Sequence, residues 1–389
     1  MEKIDCHILF NQIPAEFSKG EKILVVQYEF SGIQRYLFGS GDISMTEDQL
    51  HRHSRHVEML TVQLHRCLAE AFPKQACRVL SISSGKLICA FSKKTDKQKL
   101  QQLSEDYQRQ VYAATAGMLE LYWGMALAVV CRESKPKCRQ DVTAALAGQI
   151  QKQKFHCTGL LGASLTPKDE SLLAQNLVCE EFPLPRRTGS GIAIKCDLDN
   201  LGLFFGRLRS FDTRKAASAA LKSVLEGALD DYIYIGGDDI FAVVPLEKGL
   251  HTLADMYRRI CLGIDTSREL APYRPHFGIS GGVSAVEFFD GKLPLVYYLD
   301  SSEQQLTQAK EHPGKNCVCY ENKILTWQQV ALLDKCLAIY GEKLFPGGSG
   351  AALRACLRDP GYLAQQLLYL PALRAELSRE EVACLERIL

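Results

Sequence analysis

SGIAIKCDLDNLGLFFG at residues 190–206 and DYIYIGGDDIFAVV at residues 231–244 decide the fold of this chain. The first is an apolar strand that ends in carboxylates and runs directly into a helix start. The second holds two apolar, β-rich runs around a short turn, the signature of a hairpin. Both patterns occur earlier in the chain. EKILVVQYEFSGIQRYLF (21–38) aligns without gaps with the first, so that Glu29-Phe30-Ser31-Gly32-Ile33-Gln34 falls on Asp197-Leu198-Asp199-Asn200-Leu201-Gly202. RVLSISSGKLICAF (78–91) aligns with the second and places Ser83-Ser84-Gly85-Lys86 on Gly236-Gly237-Asp238-Asp239. Each hairpin is followed by a helical stretch, a further strand (LYWGMALAVV; HFGISGGVSAV) and a helix with lysines near its end (QKQKFH, 151–156; QAKEHPGKN, 308–316). A unit repeated in register is one supersecondary module used twice, and the order β-α-β-β-α-β is the ferredoxin-like palm arrangement.

The expected fold class is therefore α/β in the α+β sense, with two tandem ferredoxin-like palm domains and a small C-terminal helical domain. The expected boundaries are an N-terminal segment (1–20), a degenerate palm bearing SGIQ (21–156), a linker (157–190), a catalytic palm bearing GGDD (191–325) and a helical domain (326–389). PLPRRTGSG at 183–191 supplies the Pro and Gly of the linker. The tail is Leu-rich, with seven basic and seven acidic residues between 329 and 389, which suits protein contacts better than nucleic acid.

The 389 residues suffice for two or three domains, and 47% apolar with 23% charged residues is a globular composition. A net charge of +1 gives no global field for nucleic acid or acidic membranes, so any nucleic-acid contact is local or made through a partner. No stretch reaches the roughly 18 apolar residues of a membrane span, and the first residues lack a signal-peptide apolar core. The expected location is the cytoplasm, with no membrane partner. The 15 cysteines form no C-x-x-C and lie mostly in apolar segments, where they read as buried thiols. The only pool for a structural zinc is Cys131, Cys138, His156, Cys157 and Cys179. Cys317 and Cys319 read as opposite faces of a strand. HRHSRH (51–56), with His65, reads as a solvated, weakly basic helix face.

The second palm has the residues that phosphoryl transfer needs. Two divalent ions about 3.5–4 Å apart, shared between carboxylates, neutralise the attacking and leaving oxygens. Asp197 ends a strand, and Asp238 and Asp239 follow the glycines Gly236 and Gly237, which allow a tight turn and a close phosphate. Once a strand has begun, these two aspartates point to opposite faces, one to a metal and the other to a second metal or a water. Asp199 reads as the N-cap of the following helix, a contact to the nucleotide base or a metal ligand. Asn200, Leu201 and Gly202 open that helix and present N–H groups to phosphate. Lys310 and Lys315 are in place to reach a triphosphate, or are plain surface lysines. In the first palm, Gly85-Lys86 replaces both hairpin aspartates and leaves only Glu29. Ser31, Gly32, Ile33 and Gln34 can still bind a nucleotide there, so the first palm is expected to bind and the second to react.

SGIQRYLF, DLDNLG and YIGGDDIFAVVP together resemble the large polymerase-cyclase subunit of type III CRISPR effector complexes, over roughly residues 21–320. GGDD alone would also fit the GGDEF cyclases. The resemblance implies one ATP in each of two facing palms and the joining of ATP into cyclic oligoadenylate. It also implies metal ligands at Asp197, Asp238 and Asp239, binding Mg²⁺ or Mn²⁺ as two ions. Nucleotide-contacting turns then fall at 31–34 and 199–202, and a phosphate lysine at Lys310. Its implied partners are ATP and either guide-RNA-bound CRISPR subunits or a second copy of the chain. Large members carry an HD nuclease domain and a C-x-x-C insertion between the palms; neither pattern occurs here, and DNA cleavage is not expected. Two other functions fit the residues: a catalytically silent nucleotide-binding scaffold, and a GGDEF-like cyclic dinucleotide synthase using GTP.

Overall fold

The computed structural model describes residues 6–9, 12–14, 16–38, 46–72, 77–83, 85–131, 140–156, 189–208, 210–288, 295–344 and 350–389. They fall into two compact units, one built chiefly on residues 6–156 and the other on 189–207 and 217–389. Each contains a six-stranded sheet.

In the first unit, β1 (Cys6–Leu9) precedes β2 (Lys22–Ser31), α1 (Ile33–Phe38), α2 (Glu47–Ala71), β3 (Arg78–Ser83), β4 (Lys86–Ser92), α3 (Lys97–Ala114), β5 (Glu120–Cys131), β6 (Gln140–Asp141) and α4 (Val142–His156). The sheet order is β3-β4-β2-β5-β1-β6. Side chains alternate across a strand, so the central β2 serves two cores. Leu24, Val26, Tyr28 and Phe30 pack with Leu60 and Leu64 of α2 and with Leu100 and Val111 of α3. Ile23 and Val25 face the other way, with Val142 and Leu146 of α4.

The second unit repeats the plan. β7 (Gly189–Asp199), α5 (Leu201–Arg207), α6 (Phe211–Glu226), β8 (Tyr234–Gly236), β9 (Asp239–Pro245), α7 (Gly249–Thr266), β10 (Gly278–Phe288), α8 (Leu295–Glu311), β11 (Cys317–Tyr320) and β12 (Lys323–Thr326) follow in turn. The order is β12-β11-β10-β7-β9-β8. Four of its strands, β10-β7-β9-β8, match β5-β2-β4-β3 of the first unit. Both are ferredoxin-like palms, as the repeat predicts. Helices α9 (Trp327–Leu344), α10 (Gly350–Arg358), α11 (Pro360–Leu368), α12 (Pro371–Glu376) and α13 (Arg379–Glu386) form the C-terminal helical part. No described helix is long and apolar enough to cross a membrane.

The sheets are wider than the expected palm. In the second unit β11 adds parallel to β10 and β12 closes a hairpin on it. In the first unit the equivalent place beside β5 is filled by β1, which comes from the N-terminal segment. One slot is thus filled from opposite ends of the repeat. The expected linker lies outside the described residues from 157 to 188, and Gly189 and Ser190 already belong to β7.

Two expectations about side chains change. Cys317 and Cys319 share a face, as residues two apart on a strand must, and both thiols bond toward α8: to the Ala309 carbonyl and to Gln305. His53 and His56 are not a solvated face. His53 stacks on Tyr36 at 4.3 Å between ring centroids and contacts the Tyr36 carbonyl at 2.6 Å, while His56 is buried against the Tyr36 hydroxyl. Of the zinc pool only Cys131 is described with its side chain, as a free thiol; Cys138, Cys157, Cys179 and the His156 side chain lie outside the described residues.

Helix α8 sits directly on β10 at Gly282, where a Cβ would overlap the Ser302 carbonyl oxygen and the Leu306 amide. Backbone cannot swing away as a side-chain tip can. Gly282→Ala should therefore cost about 2–3 kcal/mol, read as a lowered urea midpoint at unchanged m-value.

Candidate active site

Register places the acidic residues. β7 pairs antiparallel with β9 so that Asp197 stands opposite Asp239, and β8 closes on β9 with Gly236 opposite Asp239. Gly237 and Asp238 are then the two loop residues of the hairpin, and Gly237 adopts φ +71°, the left-handed conformation that such turns require. Asp238 lies in the turn rather than the strand, so the two adjacent aspartates do not diverge to opposite faces. One carboxylate oxygen from each of Asp197, Asp238 and Asp239 lies within 4.8 Å of the others.

Lys310, in the last turn of α8, reaches Asp197 at 3.0 Å. Its ammonium is held charged above the ordinary lysine value: partial burial pulls it down, and the bond to Asp197 more than restores it. Burial, followed by the Asp197 charge, raises the Asp238 carboxyl. Asp239 is pushed up to about 7, first by burial; Lys195 pulls against this, and Asp197 and Asp238 push with it. Carboxylates that resist ionisation together are short of positive charge. Three hard oxygen donors in that condition could hold a divalent cation. The neighbouring Cys196 thiol is fully buried and raised far beyond its usual range, so it offers no nucleophile.

Asp199 proves to be a tie. It is only 3% exposed, and its carboxylate accepts from the Ser280 hydroxyl at 2.9 Å and from the Asn316 backbone N–H at 3.0 Å. Asn316 in turn accepts from the Ile279 N–H at 3.1 Å. Gly314, Lys315 and Asn316 all have positive φ, +88°, +48° and +51°. Two successive non-glycine residues there are strained, and the Asp199 bond pays for that conformation. Asp199 thereby fixes the exposed Lys315 loop to the strand end from which Asn200, Leu201 and Gly202 depart. Asn200 takes φ +61°, and its carbonyl accepts from Phe204 to start α5.

The first palm repeats this backbone with different chemistry. Ser31 ends β2, Gly32 has φ +82° in the place of Asn200, and its carbonyl accepts from Tyr36 at 2.8 Å. A Cβ on Gly32 would overlap the Met118 carbonyl. Ile33 and Gln34 begin α1, and the Ile33 side chain lies over Gly85. Phe30 N–H donates to Gly85 just as Leu198 N–H donates to Asp238. Glu29 stands opposite Lys86, as Asp197 stands opposite Asp239. Lys154 of α4 bonds Glu29 at 2.7 Å, the counterpart of Lys310 on Asp197. Among the described residues, the only cluster of three or more potential metal ligands is in the second palm.

Sequence reading passed over Lys195. It lies two residues before Asp197, on the same face of β7, buried and paired with Glu303 of α8. The signal was a charged residue inside the otherwise apolar run IAIKC.

Residues 192–319 match the family model of the Cas10/Cmr2 second palm domain. The whole chain is similar in fold to Csm1 structures. A Csm1–Csm4 cassette in complex with cA3 gives a TM-score of 0.59 at 16% identity, covering 96% of this chain and 70% of that one. A cassette in complex with one ATP gives 0.58 at 16%, covering 95% and 70%. Csm1 of T. onnurineus gives 0.58 at 15%, covering 94% and 67%. No curated protein sequence matches. The fold and the matched domain define a double-palm protein. Residues 192–319 are thus a palm of the Cas10/Cmr2 second-palm type, the segment that carries DLDNLG and GGDD, and the chain around them has the fold of Csm1.

The raised Asp239 has a consequence for stability. Its folded value near 7 lies above the ordinary Asp value of about 3.9. The native chain thus binds more protons than the unfolded one between about pH 4 and 7, and stability from this group falls as pH rises through that window. In EDTA, the melting temperature should drop between pH 5.5 and 8. Asp239→Asn should flatten that drop and stabilise the metal-free chain at pH 8 by about 1 kcal/mol, as differential scanning fluorimetry would show.

Proposed function

We propose that this chain is a metal-dependent nucleotidyltransferase that joins ATP into cyclic oligoadenylate or a related cyclic nucleotide, as a type III CRISPR-type defence protein. The observation that carries this reading is the convergence of Asp197, Asp238 and Asp239 beside Lys310, inside a domain matching the Cas10/Cmr2 second palm. Structures similar in fold hold ATP, AMPPNP, cA3 and cA4. Asp197, Asp238 and Asp239 would hold Mg²⁺ or Mn²⁺, and bound ions supply charge neutralisation at the α-phosphate and the departing pyrophosphate.

The chain's own residues position and select. In this reading the turn from Asp199 to Gly202, with Gly236 and Gly237, lets phosphate approach the backbone. Lys310 exchanges Asp197 for the triphosphate, and Lys315, on the loop that Asp199 pins, is a second cation for it. The first palm, with Ser31 to Gln34 and a lysine in place of the hairpin aspartate, binds a second nucleotide in this reading, and a 3′-hydroxyl attacks the α-phosphate held at the second palm. Catalysis is then alignment and charge stabilisation, with no strong side-chain base. Guide-RNA-bound CRISPR subunits, or a second copy of the chain, are the partners this reading brings.

Incubation with each nucleoside triphosphate and Mg²⁺ or Mn²⁺, followed by mass spectrometry, tests the proposal. ATP should give cyclic oligoadenylate and pyrophosphate. Asp238→Ala with Asp239→Ala should lower turnover at least about a thousandfold while leaving the near-UV circular dichroism unchanged. Wild-type turnover by the double variant would remove the catalytic assignment, and a product from GTP alone would favour the GGDEF-like alternative.

A further inference from the structure

Helix α8 and strand β7 face each other with four charges in two opposed pairs. Lys310 meets Asp197, and one strand repeat earlier Lys195 meets Glu303. Glu303 and Lys310 are seven residues apart, two helical turns, and so share a face of α8. Lys195 and Asp197 are two residues apart and share a face of β7. The Lys195 side chain is 8% exposed, whereas that of Glu303 is 49% exposed. A buried ammonium costs several kcal/mol unless it is compensated, and a half-solvated carboxylate is a weak partner. The acidic cluster lies next to it on the same sheet: Asp197 is the neighbouring residue on that face of β7, and Asp239 is the register partner of Asp197.

The first palm serves as an internal control. The position equivalent to Lys195 is Gln27, also buried, whose amide reaches Glu29 at 3.4 Å. Where the hairpin has no aspartates, the strand carries a neutral amide. The lysine thus accompanies the acidic cluster rather than the fold.

We propose that Lys195, tethered by Glu303, is a fixed countercharge that holds down the divalent-cation affinity of Asp197, Asp238 and Asp239, so that ions are taken up with the triphosphate rather than by the carboxylates alone. The inference rests on the reading of the triad as a metal site. Lys195 touches neither substrate nor reacting atoms in this account; it is a positioning residue that acts through the field. Its charge lowers the mutual repulsion of the carboxylates, which lets the cluster fold, and it opposes an incoming cation. Nucleotide phosphates supply the negative charge that tips the balance toward binding.

Mn²⁺ binding to the full chain, followed by electron paramagnetic resonance at pH 8.5, tests this. Lys195→Gln, which copies the first palm, should tighten Mn²⁺ binding about three- to tenfold and lower the melting temperature of the metal-free protein. The gain in Mn²⁺ affinity on adding a non-hydrolysable ATP analogue should shrink in that variant. Glu303→Gln, at a half-exposed site, should act in the opposite sense and weaken Mn²⁺ binding about two- to threefold. Lys195→Arg should stay within about twofold of the unmodified protein. A lysine with a merely structural role predicts weaker binding in Lys195→Gln, and that result, or no change, would overturn the inference. If Lys195→Gln does not fold, unchanged Mn²⁺ affinity in Glu303→Gln overturns it equally. An unmodified chain that binds no Mn²⁺, with or without the analogue, removes the triad reading and this inference together. Binding that neither variant alters removes this inference alone.

Discussion

Repulsion among the three carboxylates at the end of β7 is the constraint that the second palm is built around. Asp197 and Asp239 are opposite one another on neighbouring strands, a placement that destabilises a sheet when the charges are alike. Asp238 adds a third from the turn. Each neighbour of the cluster reduces this cost. Lys310 bonds Asp197 from α8, Lys195 acts on Asp239 from within the sheet, and the raised Asp239 carboxyl retains its proton to a higher pH. The close seat of α8 on Gly282 is what brings Lys310 and Glu303 within reach of β7.

The two palms show how little backbone must change for that constraint to disappear. The strand-to-hairpin bond, the positive φ after the strand and the first carbonyl of the short helix are the same in both. What differs is charge. Opposite Glu29 stands Lys86, a favourable cross-strand pair, and Lys154 adds a second cation to the single carboxylate. The first palm is balanced by its own residues, whereas the second is not. Polarity at two hairpin positions separates a unit that is complete alone from one whose carboxylates favour a bound cation.

This explains what was legible in the sequence. The repeat was, because strand, turn and hairpin recur in register. The alignment of Glu29 with Asp197 and of Lys86 with Asp239 was as well, and each aligned couple turns out to be a register pair in its own sheet. The outer strands were not legible. β1 is four residues long and pairs with β5 more than a hundred residues later, and local pattern carries no such information. The cap role expected of Asp199, natural for a carboxylate before a helix, is replaced by its bonds to Ser280 and Asn316. Its acceptance from Asn316 depends on a loop 117 positions away. His56 was misread for a similar reason: its partner Tyr36 lies on another helix, so HRHSRH looks polar on its own. Lys195 was visible as a charge in an apolar run, but its meaning depended on Glu303 and on which strand lay beside it.

The same imbalance couples folding to ligand. A cation or nucleotide that binds the native cluster and not the unfolded chain adds stability in proportion to RT ln(1 + [L]/Kd), and here it also removes a repulsion that the folded chain otherwise bears. Helix α8 is where the two effects meet. It carries Lys310 and Glu303, and the loop that follows it, from Gly314 to Asn316, is kept in a strained conformation by Asp199. Asp199 and Asp197 are on one face of one strand, so a change in charge at the cluster and a change in the Lys315 loop act on the same few residues. Lys310 is bonded to Asp197 while the loop is pinned by Asp199. Any ligand that draws Lys310 off Asp197 must therefore do so against a helix end that is already tied down. The side chain can swing while the backbone stays, which is the property a site needs if it is to exchange one charged partner for another without losing its geometry.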